Sequence, residues 1–264
     1  MLEPQPRPGP LAEPEKPVVM IPMTAEDAER LQRRRNFTRT AVGMAVVILG
    51  WYVYVRMVNP VRAQQAYTDG VRLIQATRYE QAILNFDRAI ELKPDFADAY
   101  RMRGRAYVAV GKPDEAIPDF TKVAVLRPAD ATVLVDRGFA YLDKKDWAKA
   151  RADASRALEM NGKLARAYNL RATAVRATGG VAEALEDYSR AVELDPNLDN
   201  YFQRAATYQL LNEHQRAVAD FDQALALAPD QPHTYYARAQ SRAAIGDAKG
   251  AQEDIRAGRK IDGW

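Results

Sequence analysis

The sequence predicts an all-α protein in which a solenoid of paired helices follows a single transmembrane helix. Two observations predict it: one stretch of sequence recurs at a nearly fixed interval, and an uninterrupted apolar run precedes the first copy. The 264 residues, 47% of them hydrophobic, are enough to bury a core of one or two domains.

The recurring stretch contains a proline in most copies, at the break between the end of one helix and the start of the next. Pro94 and Pro128 lie 34 residues apart. Pro196 follows after twice that interval, and Pro229 comes 33 residues later. A period of this length is typical of solenoids, and each period holds two helical stretches, such as 98–110 and 114–126, around a turn. The sequence therefore predicts six helical hairpins, over 63–96, 97–130, 131–164, 165–197, 198–231 and 232–264.

Small residues recur at one position of each helix, where they let the two helices of a hairpin approach closely. They are Gly70, Gly104, Gly138, Ala172, Ala205 and Ala239 on the first helices, and Ala82, Ala116, Ala150, Ala184, Ala217 and Ala251 on the second. A large residue fills the adjacent space at Phe86, Phe120, Tyr188 and Phe221, with Ala154 and Ile255 as exceptions. A single hairpin cannot bury its apolar side, so stability comes from stacking.

This pattern resembles the tetratricopeptide repeat. Its motif is matched by Tyr100, Gly104, Tyr107, Ala116, Phe120 and Pro128, with Val123 in place of the second motif Ala. The resemblance covers Ala63 to Trp264 and implies a right-handed superhelix that binds other proteins through a concave groove. The last copy departs, with Gly258 and Arg259 where the first has Ala89 and Ile90, which fits a terminal cap facing water.

The resemblance also implies which side chains line the groove. Family members that bind chaperone tails hold a terminal carboxylate with Lys and Asn, where this sequence has Tyr67 and Val71. We therefore expect an extended or helical segment with apolar anchors and some acidic residues as ligand. The alternative is that several of the aromatic residues pack between units. The candidate groove residues are Tyr67, Arg101, Arg105, Phe139, Asn169, Arg176, Phe202 and Tyr236.

An arginine on the first helix and an aspartate 16 residues later appear together in five units and are absent together from the first, which has Asp69 and Asn85. This joint occurrence predicts contact between the two helices, either within or between repeats, with a structural role. The alternative is a charged recognition ladder. The pairs are Arg103 with Asp119, Arg137 with Asp153, Arg171 with Asp187, Arg204 with Asp220, and Arg238 with Asp254.

The apolar run over 40–58 predicts a transmembrane helix in contact with the lipid bilayer. It is about 19 residues long, near the lower limit for a bilayer, and has aromatic residues at one end, as at a membrane interface. Five arginines precede it closely, whereas Arg56 and Arg62 follow. By the positive-inside rule the amino terminus is cytoplasmic and the solenoid extracytoplasmic, on the periplasmic side of a bacterial inner membrane. A signal peptide cleaved after Ala63 is the alternative.

Two segments precede the predicted span. Residues 1–23 hold seven of the fifteen prolines and are predicted to be a disordered tail. Its apolar run over 18–23 is a candidate docking segment for a cytoplasmic partner. Thr24 can cap a basic juxtamembrane helix over 24–39.

Composition and spacing indicate no enzyme, cofactor or metal site. The chain has no cysteine, and its two histidines, His214 and His233, lack ligand or triad spacing. Lys and Arg balance Asp and Glu at 29 each from Ala63 onward, which argues against a nucleic-acid partner.

The predicted function is a membrane-anchored scaffold or adaptor that binds partner proteins in assembly or organisation of a membrane complex. The alternatives are a cytosol-facing receptor for protein import or chaperones, and a non-catalytic subunit of an enzyme complex.

Overall fold

The computed structural model describes residues 23–263, which form thirteen α-helices and one π-helical turn and contain no strand. The tail predicted over 1–23 lies outside the described residues except for Met23. The helices are α1 (Ala25–Val53), α2 (Asn59–Gln75), α3 (Tyr79–Leu92), α4 (Ala97–Ala109), α5 (Pro113–Leu126), α6 (Ala131–Asp143), α7 (Trp147–Met160), α8 (Ala165–Ala177), α9 (Val181–Leu194), α10 (Leu198–Leu210), α11 (His214–Leu227), α12 (Pro232–Ala244) and α13 (Ala248–Asp262).

The described chain divides into two compact units, with the boundary between Arg56 and Met57. The first unit consists mainly of α1, which begins as the sequence predicts. The Thr24 hydroxyl accepts a hydrogen bond from the Asp27 N–H at 3.2 Å, and the Asp27 carboxylate accepts one from the Thr24 N–H at 3.3 Å. This capping box satisfies two backbone donors at the helix start. No residue of α1 is buried.

A π-helical turn, Tyr54–Val58, lies between α1 and α2. Pro60, in the first turn of α2, lacks the N–H that an uninterrupted α-helix would donate to the Arg56 carbonyl. The segment predicted to span the membrane, 40–58, thus ends in this turn. The first helix of the solenoid begins at Asn59, four residues before the predicted position near Ala63.

The solenoid is a row of six helical hairpins, each made of a first helix (α2, α4, α6, α8, α10 or α12) and the second helix that comes after it. The turn inside each hairpin has one residue with a left-handed backbone, at the same position of every unit. This residue is glycine in the even-numbered units. In the odd-numbered units it is Thr77, Lys145 or Asn212, with φ of 57°, 59° and 61°. Glycine adopts this conformation at less cost than a residue with a Cβ.

Aromatic side chains fill the hairpins where the first helix has its small residue. Phe86 and Phe120 are buried against Gly70 and Gly104, where an added Cβ would collide with the ring. The third unit has Ala154 at the aromatic position, and Leu170 from the next unit packs against Gly138 instead. Leu170 therefore joins the core of the third unit to that of the fourth, as expected when neighbouring units of a solenoid stack.

Contacts between units identify the inner curve of the solenoid. Successive first helices touch each other at α2–α4, α4–α6, α6–α8 and α10–α12, whereas successive second helices make no comparable contact in the described chain. The first helices therefore line the inner curve. The backbones of α8 and α10 lie farther apart, and these two helices contact each other through side-chain hydrogen bonds from Asn169 and Arg176. Close backbone approach is least extensive between the fourth and fifth units. The repeat interval shortens to 33 residues at the same place, from Ala165 to Leu198.

Candidate protein-binding groove

The inner groove is the surface formed by the six first helices, and the five Arg–Asp pairs hold these helices to their partners. In each pair the arginine Nε and one terminal nitrogen donate to the two carboxylate oxygens at 2.5–2.9 Å. All five aspartates are buried. The hydrogen bond to the aspartate raises the pKa of Arg137, Arg171 and Arg204, which stay charged. Every pair lies within one unit, a point that the sequence left open.

Some of these arginines also join neighbouring units. Arg103 donates to Asp87 of the first unit at 2.5 Å, and Arg137 donates to the Thr121 hydroxyl at 3.1 Å. Arg238 reaches Asp222 at 2.5 Å in the same way. The five Arg–Asp pairs therefore fix the register within hairpins, and some of their arginines also fix it between hairpins. A structural role accounts for this geometry.

Units two to four meet in the groove around one buried carboxylate, Asp136 on α6. Arg101 Nε donates to it at 2.7 Å, Arg105 at 3.0 Å and Arg166 at 3.5 Å. The Asp136 side chain is 4% exposed, whereas those of Arg105 and Arg166 are 44% and 60% exposed. We call these four residues the Asp136 cluster. It places positive charge on the groove surface.

A second acidic residue supports the same cluster. Asp130 caps α6 by accepting the Thr132 N–H, and it also accepts from the Thr132 hydroxyl and from Arg101. Although burial opposes it, these hydrogen bonds and the Arg101 charge hold the pKa of Asp130 below its usual value. Three guanidiniums therefore face two carboxylates within the cluster, and Asp195 and Asp199 line the recess beside Arg166.

The fifth and sixth units line the groove with rings and amides. A recess of about 670 Å³ lies between α10 and α12, and we call it the aromatic recess. The Phe202 ring packs edge-on against Phe221 and His233, with centroids 5.6 and 5.0 Å apart. Leu210 is 60% exposed at its rim. The lining residues are Arg176, Phe202, Gln203, Ala206, Gln209, Leu210, His214 and Gln240.

One of the two histidines lines this recess. His214 has its Nδ1 buried and without a hydrogen-bond partner, and His233 packs edge-on against the Phe202 ring. Neither faces a carboxylate in a triad arrangement.

Six of the eight predicted groove residues contact the next unit. Arg101 and Arg105 bind Asp136, and Phe139 lies under the Arg166 guanidinium at 5.3 Å. Asn169 donates to Asn200 at 2.9 Å, Arg176 donates to Gln203 and Thr207, and Phe202 packs on His233. These residues therefore connect units, and for the aromatic residues Phe139 and Phe202 this is the alternative that the sequence left open.

The other two predicted groove residues have ring or hydroxyl contacts in their own units. The Tyr67 ring packs against Phe86 and Phe96, with centroids 5.9 and 5.0 Å apart. The Tyr236 hydroxyl donates to Asp262 at 2.6 Å.

Sequence reasoning missed Asp136 and Arg166. The signal was present in the repeat alignment, because Asp136 is the one charged residue at a position otherwise held by Thr68, Met102, Leu170, Gln203 and Ala237.

The paired helices and the inner groove define a helical-repeat protein of the class that offers one long surface to a ligand. Three family models match it: a TPR repeat over residues 70–111, and tetratricopeptide repeats over 135–199 and 198–231. Together they cover more than half of the chain, and the chain belongs to the tetratricopeptide repeat family. Membership supports a protein–protein interaction role for the repeats.

The relatives are longer proteins. Tetratricopeptide repeat protein 6 of Homo sapiens is 25% identical over 161 residues, which are 60% of this chain and 31% of that protein. RNA polymerase II-associated protein 3 of Homo sapiens is 36% identical over 95 residues, which are 36% of this chain and 14% of that protein. The chain spans less than a third of the length of either relative.

Solved structures show the same fold. The APC/C hetero-tetramer Cut9–Hcn1 matches with a TM-score of 0.70 and 14% identity, over 82% of this chain and 43% of that one. A tetratricopeptide repeat protein from Parabacteroides merdae matches with a TM-score of 0.64 and 19% identity, over 89% of this chain and 92% of that one.

Proposed function

We propose that the chain is a membrane-anchored adaptor that holds a partner protein in its inner groove and takes part in the assembly of a membrane complex. Family membership supports the protein-binding part of this function. The anchor is supported by one helical segment near the amino terminus that is long and apolar enough to cross a bilayer, with none of its most apolar stretch buried.

The proposed orientation places the solenoid outside the cytoplasm. The support is the excess of arginines before the span, Arg30, Arg33, Arg34, Arg35 and Arg39, over those after it. Positive residues stay on the cytoplasmic side during insertion. A solenoid on the opposite side would favour a cytosol-facing import or chaperone receptor.

The absence of cysteine makes this orientation directly testable. A single cysteine at exposed Lys122 on α5 reports on the solenoid, and one at Gln5 reports on the tail. In spheroplasts, a membrane-impermeant maleimide should label Lys122→Cys and spare Gln5→Cys, and both should react after detergent lysis. Labelling of Gln5→Cys alone in intact spheroplasts would reverse the orientation.

The single observation that carries the proposed ligand class is the division of the groove. The Asp136 cluster offers the exposed guanidiniums of Arg105 and Arg166, and the aromatic recess offers Phe202 and Leu210. A partner segment with an acidic residue and an apolar residue matches both surfaces. Charge at the rim governs approach and specificity, and a buried apolar anchor supplies affinity.

The binding test uses two exposed residues, one from each half of the groove. Arg105→Ala with Leu210→Ala should remove most of the partner recovered when the protein is purified in mild detergent. The matched control is Arg88→Ala with Leu84→Ala on the second helix α3, where the side chains are also exposed. Unchanged recovery with the groove variant, or equal loss with both, would exclude the groove as the binding site.

A non-catalytic subunit of an enzyme complex remains a second candidate for the same groove. The co-purified proteins decide between the two: an enzyme recovered through Arg105 and Leu210 supports the subunit, and a structural membrane protein supports the assembly adaptor.

A further inference from the structure

Arg176 on α8 carries a charge at a position where the other units have uncharged side chains. The position lies four residues after the recurring small residue of each first helix, which is Ala172 in α8. Arg176 is only partly exposed. The repeat pattern therefore gives no reason for a cation at this place. The residues at the same position in the other five units are Ile74, Val108, Leu142, Gln209 and Ala243.

The partners of the Arg176 guanidinium between residues 23 and 263 are all neutral. Its Nη2 donates to Gln203 Oε1 at 2.7 Å, and its Nη1 donates to the Thr207 hydroxyl at 3.2 Å and to the Gln203 carbonyl at 3.4 Å. The guanidinium also lies over the Tyr188 ring, with 5.1 Å between Cζ and the ring centroid. Its Nε has no hydrogen-bond partner among the described residues.

The other partly buried arginines of the first helices all have a carboxylate partner. The described chain has seven of them, and each forms a salt bridge with an aspartate at 3.2 Å or less. A partly buried charge without a counter-charge costs free energy, because water no longer solvates it fully. The guanidinium of Arg176 is therefore available to pair with a carboxylate that a ligand supplies.

The aromatic recess gives a ligand access to Arg176, and no acidic residue lines it. Two acidic residues lie near the lining residues in the sequence. Glu213 accepts a hydrogen bond from Arg216 at 2.6 Å, and Asp199 lines the neighbouring recess of about 460 Å³. The aromatic recess therefore presents a guanidinium without a carboxylate beside the apolar surface of Phe202 and Leu210.

We propose that the aromatic recess binds an acidic side chain of the partner segment, next to the apolar residue that packs against Phe202 and Leu210. The carboxylate of this side chain accepts hydrogen bonds from Arg176. This inference rests on the proposed function, because it names a second acidic residue of the segment that the inner groove binds.

The surroundings of Arg176 suit it to this role. Gln203, Thr207 and the Tyr188 ring already hold the guanidinium in place, so the side chain loses little freedom when a carboxylate binds. A hydrogen bond between two charged groups is also stronger than one between neutral groups. Across α10 from Arg176, the exposed Gln240 has an amide that both donates and accepts hydrogen bonds. That amide suits the backbone of a segment that continues past the recess, which favours an internal side chain over a chain terminus.

Heptapeptides displayed on phage serve as the probe. Their carboxyl ends are fused to the phage, so only side-chain carboxylates are available for binding. Selection on the full chain in mild detergent should enrich peptides in which an aspartate or glutamate lies next to a large apolar residue or one residue away. An enriched peptide is then synthesised with an amidated carboxyl end, and fluorescence anisotropy measures its affinity.

A double-mutant cycle links the peptide carboxylate to Arg176. Arg176→Leu, and the change of the acidic residue of the peptide to its amide, should each weaken binding by about tenfold, as for the loss of one hydrogen bond between charged groups. Both changes together should weaken binding no more than either alone. The matched control is Arg190→Leu on α9, which is exposed and lies outside the aromatic recess. It should leave the affinity unchanged.

The stability of Arg176→Leu separates recognition from a purely structural role. The third unit has Leu142 at this position, so the variant should fold, and its midpoint in urea should be no lower than that of the unchanged chain. A lower midpoint together with additive losses in the cycle would show that Arg176 only joins the fourth unit to the fifth. A peptide that binds only with a free terminal carboxylate would also overturn the proposal.

The variant Leu210→Ala distinguishes failure of this inference from failure of the proposed function. Enriched peptides that depend on Leu210 but carry no acidic residue would overturn the role of Arg176 and leave the groove as the binding site. If no enriched peptide depends on Leu210, or no peptide is enriched, both the inference and the proposed groove function are contradicted.

Discussion

The two halves of the inner groove are built from the same repeat and offer opposite chemistry. Between units two and four, guanidiniums surround the buried carboxylate of Asp136, and in units five and six Phe202 and Leu210 border a recess lined by amides. Neither half depends on the repeat motif, since the differing residues lie between motif positions. Selectivity along a repeat groove is therefore set by the residues that the motif leaves free.

The largest loss of stability is expected from a substitution in the aromatic half of the groove. Phe221 is fully buried and supports the Phe202 ring. Phe221→Ala should lower the free energy of unfolding by about 4 kcal/mol, because it leaves a large cavity. Urea unfolding followed by circular dichroism measures the loss. Exposed Leu227→Ala on the same helix is the control, and an equal loss there would contradict the assignment of Phe221 to the core.

The next effect tests the charged half. Asp136→Ala should cost about 3 kcal/mol, because partly buried Arg101 then faces fewer carboxylates. The same unfolding measurement applies. Asp114→Ala, which removes an exposed carboxylate paired with Lys144, should cost less than about 1 kcal/mol. If the two variants unfold alike, the Asp136 cluster does not hold the units together.

The smallest expected effect is the difference in stability loss between variants of two of the Arg–Asp pairs. Arg171 pairs with Asp187 alone, whereas Arg103 has carboxylates in two units. Arg171→Ala should cost about 2 kcal/mol and Arg103→Ala about 1 kcal/mol more, since the latter removes an inter-unit bond as well. A double-mutant cycle of Arg171 with Asp187 should show a coupling energy. Strict additivity would contradict the contact seen in the structure.

Much of the fold could be predicted because it is periodic. The interval between prolines places the first helices, which begin at Ala97, Ala131, Ala165, Leu198 and Pro232. The arginines and aspartates occur together in five units and are absent together from the first. This joint occurrence predicted their contact, because two residues that pair with each other are expected to be present or absent together.

The contents of the groove could not be predicted to the same extent. The Asp136 cluster joins Arg101, Arg105 and Arg166 across three units, and none of these contacts repeats along the chain. The family pattern identifies groove-facing positions, but it does not show that Asn169 or Arg176 is already bonded to the next unit. Such contacts depend on the distance between units, which the spacing along the sequence does not give.

The weak joint between the fourth and fifth units has a mechanical consequence. In a row of hairpins that touch only their neighbours, each interface can bend independently of the others. The interface with the least contact therefore bends most easily. This interface lies between the charged and aromatic halves, so bending there alters the distance between them and also the aromatic recess, which Arg176 of the fourth unit lines. A ligand that binds both halves of the groove restricts bending at the interface between the fourth and fifth units. A pulling force on that ligand acts across the same interface.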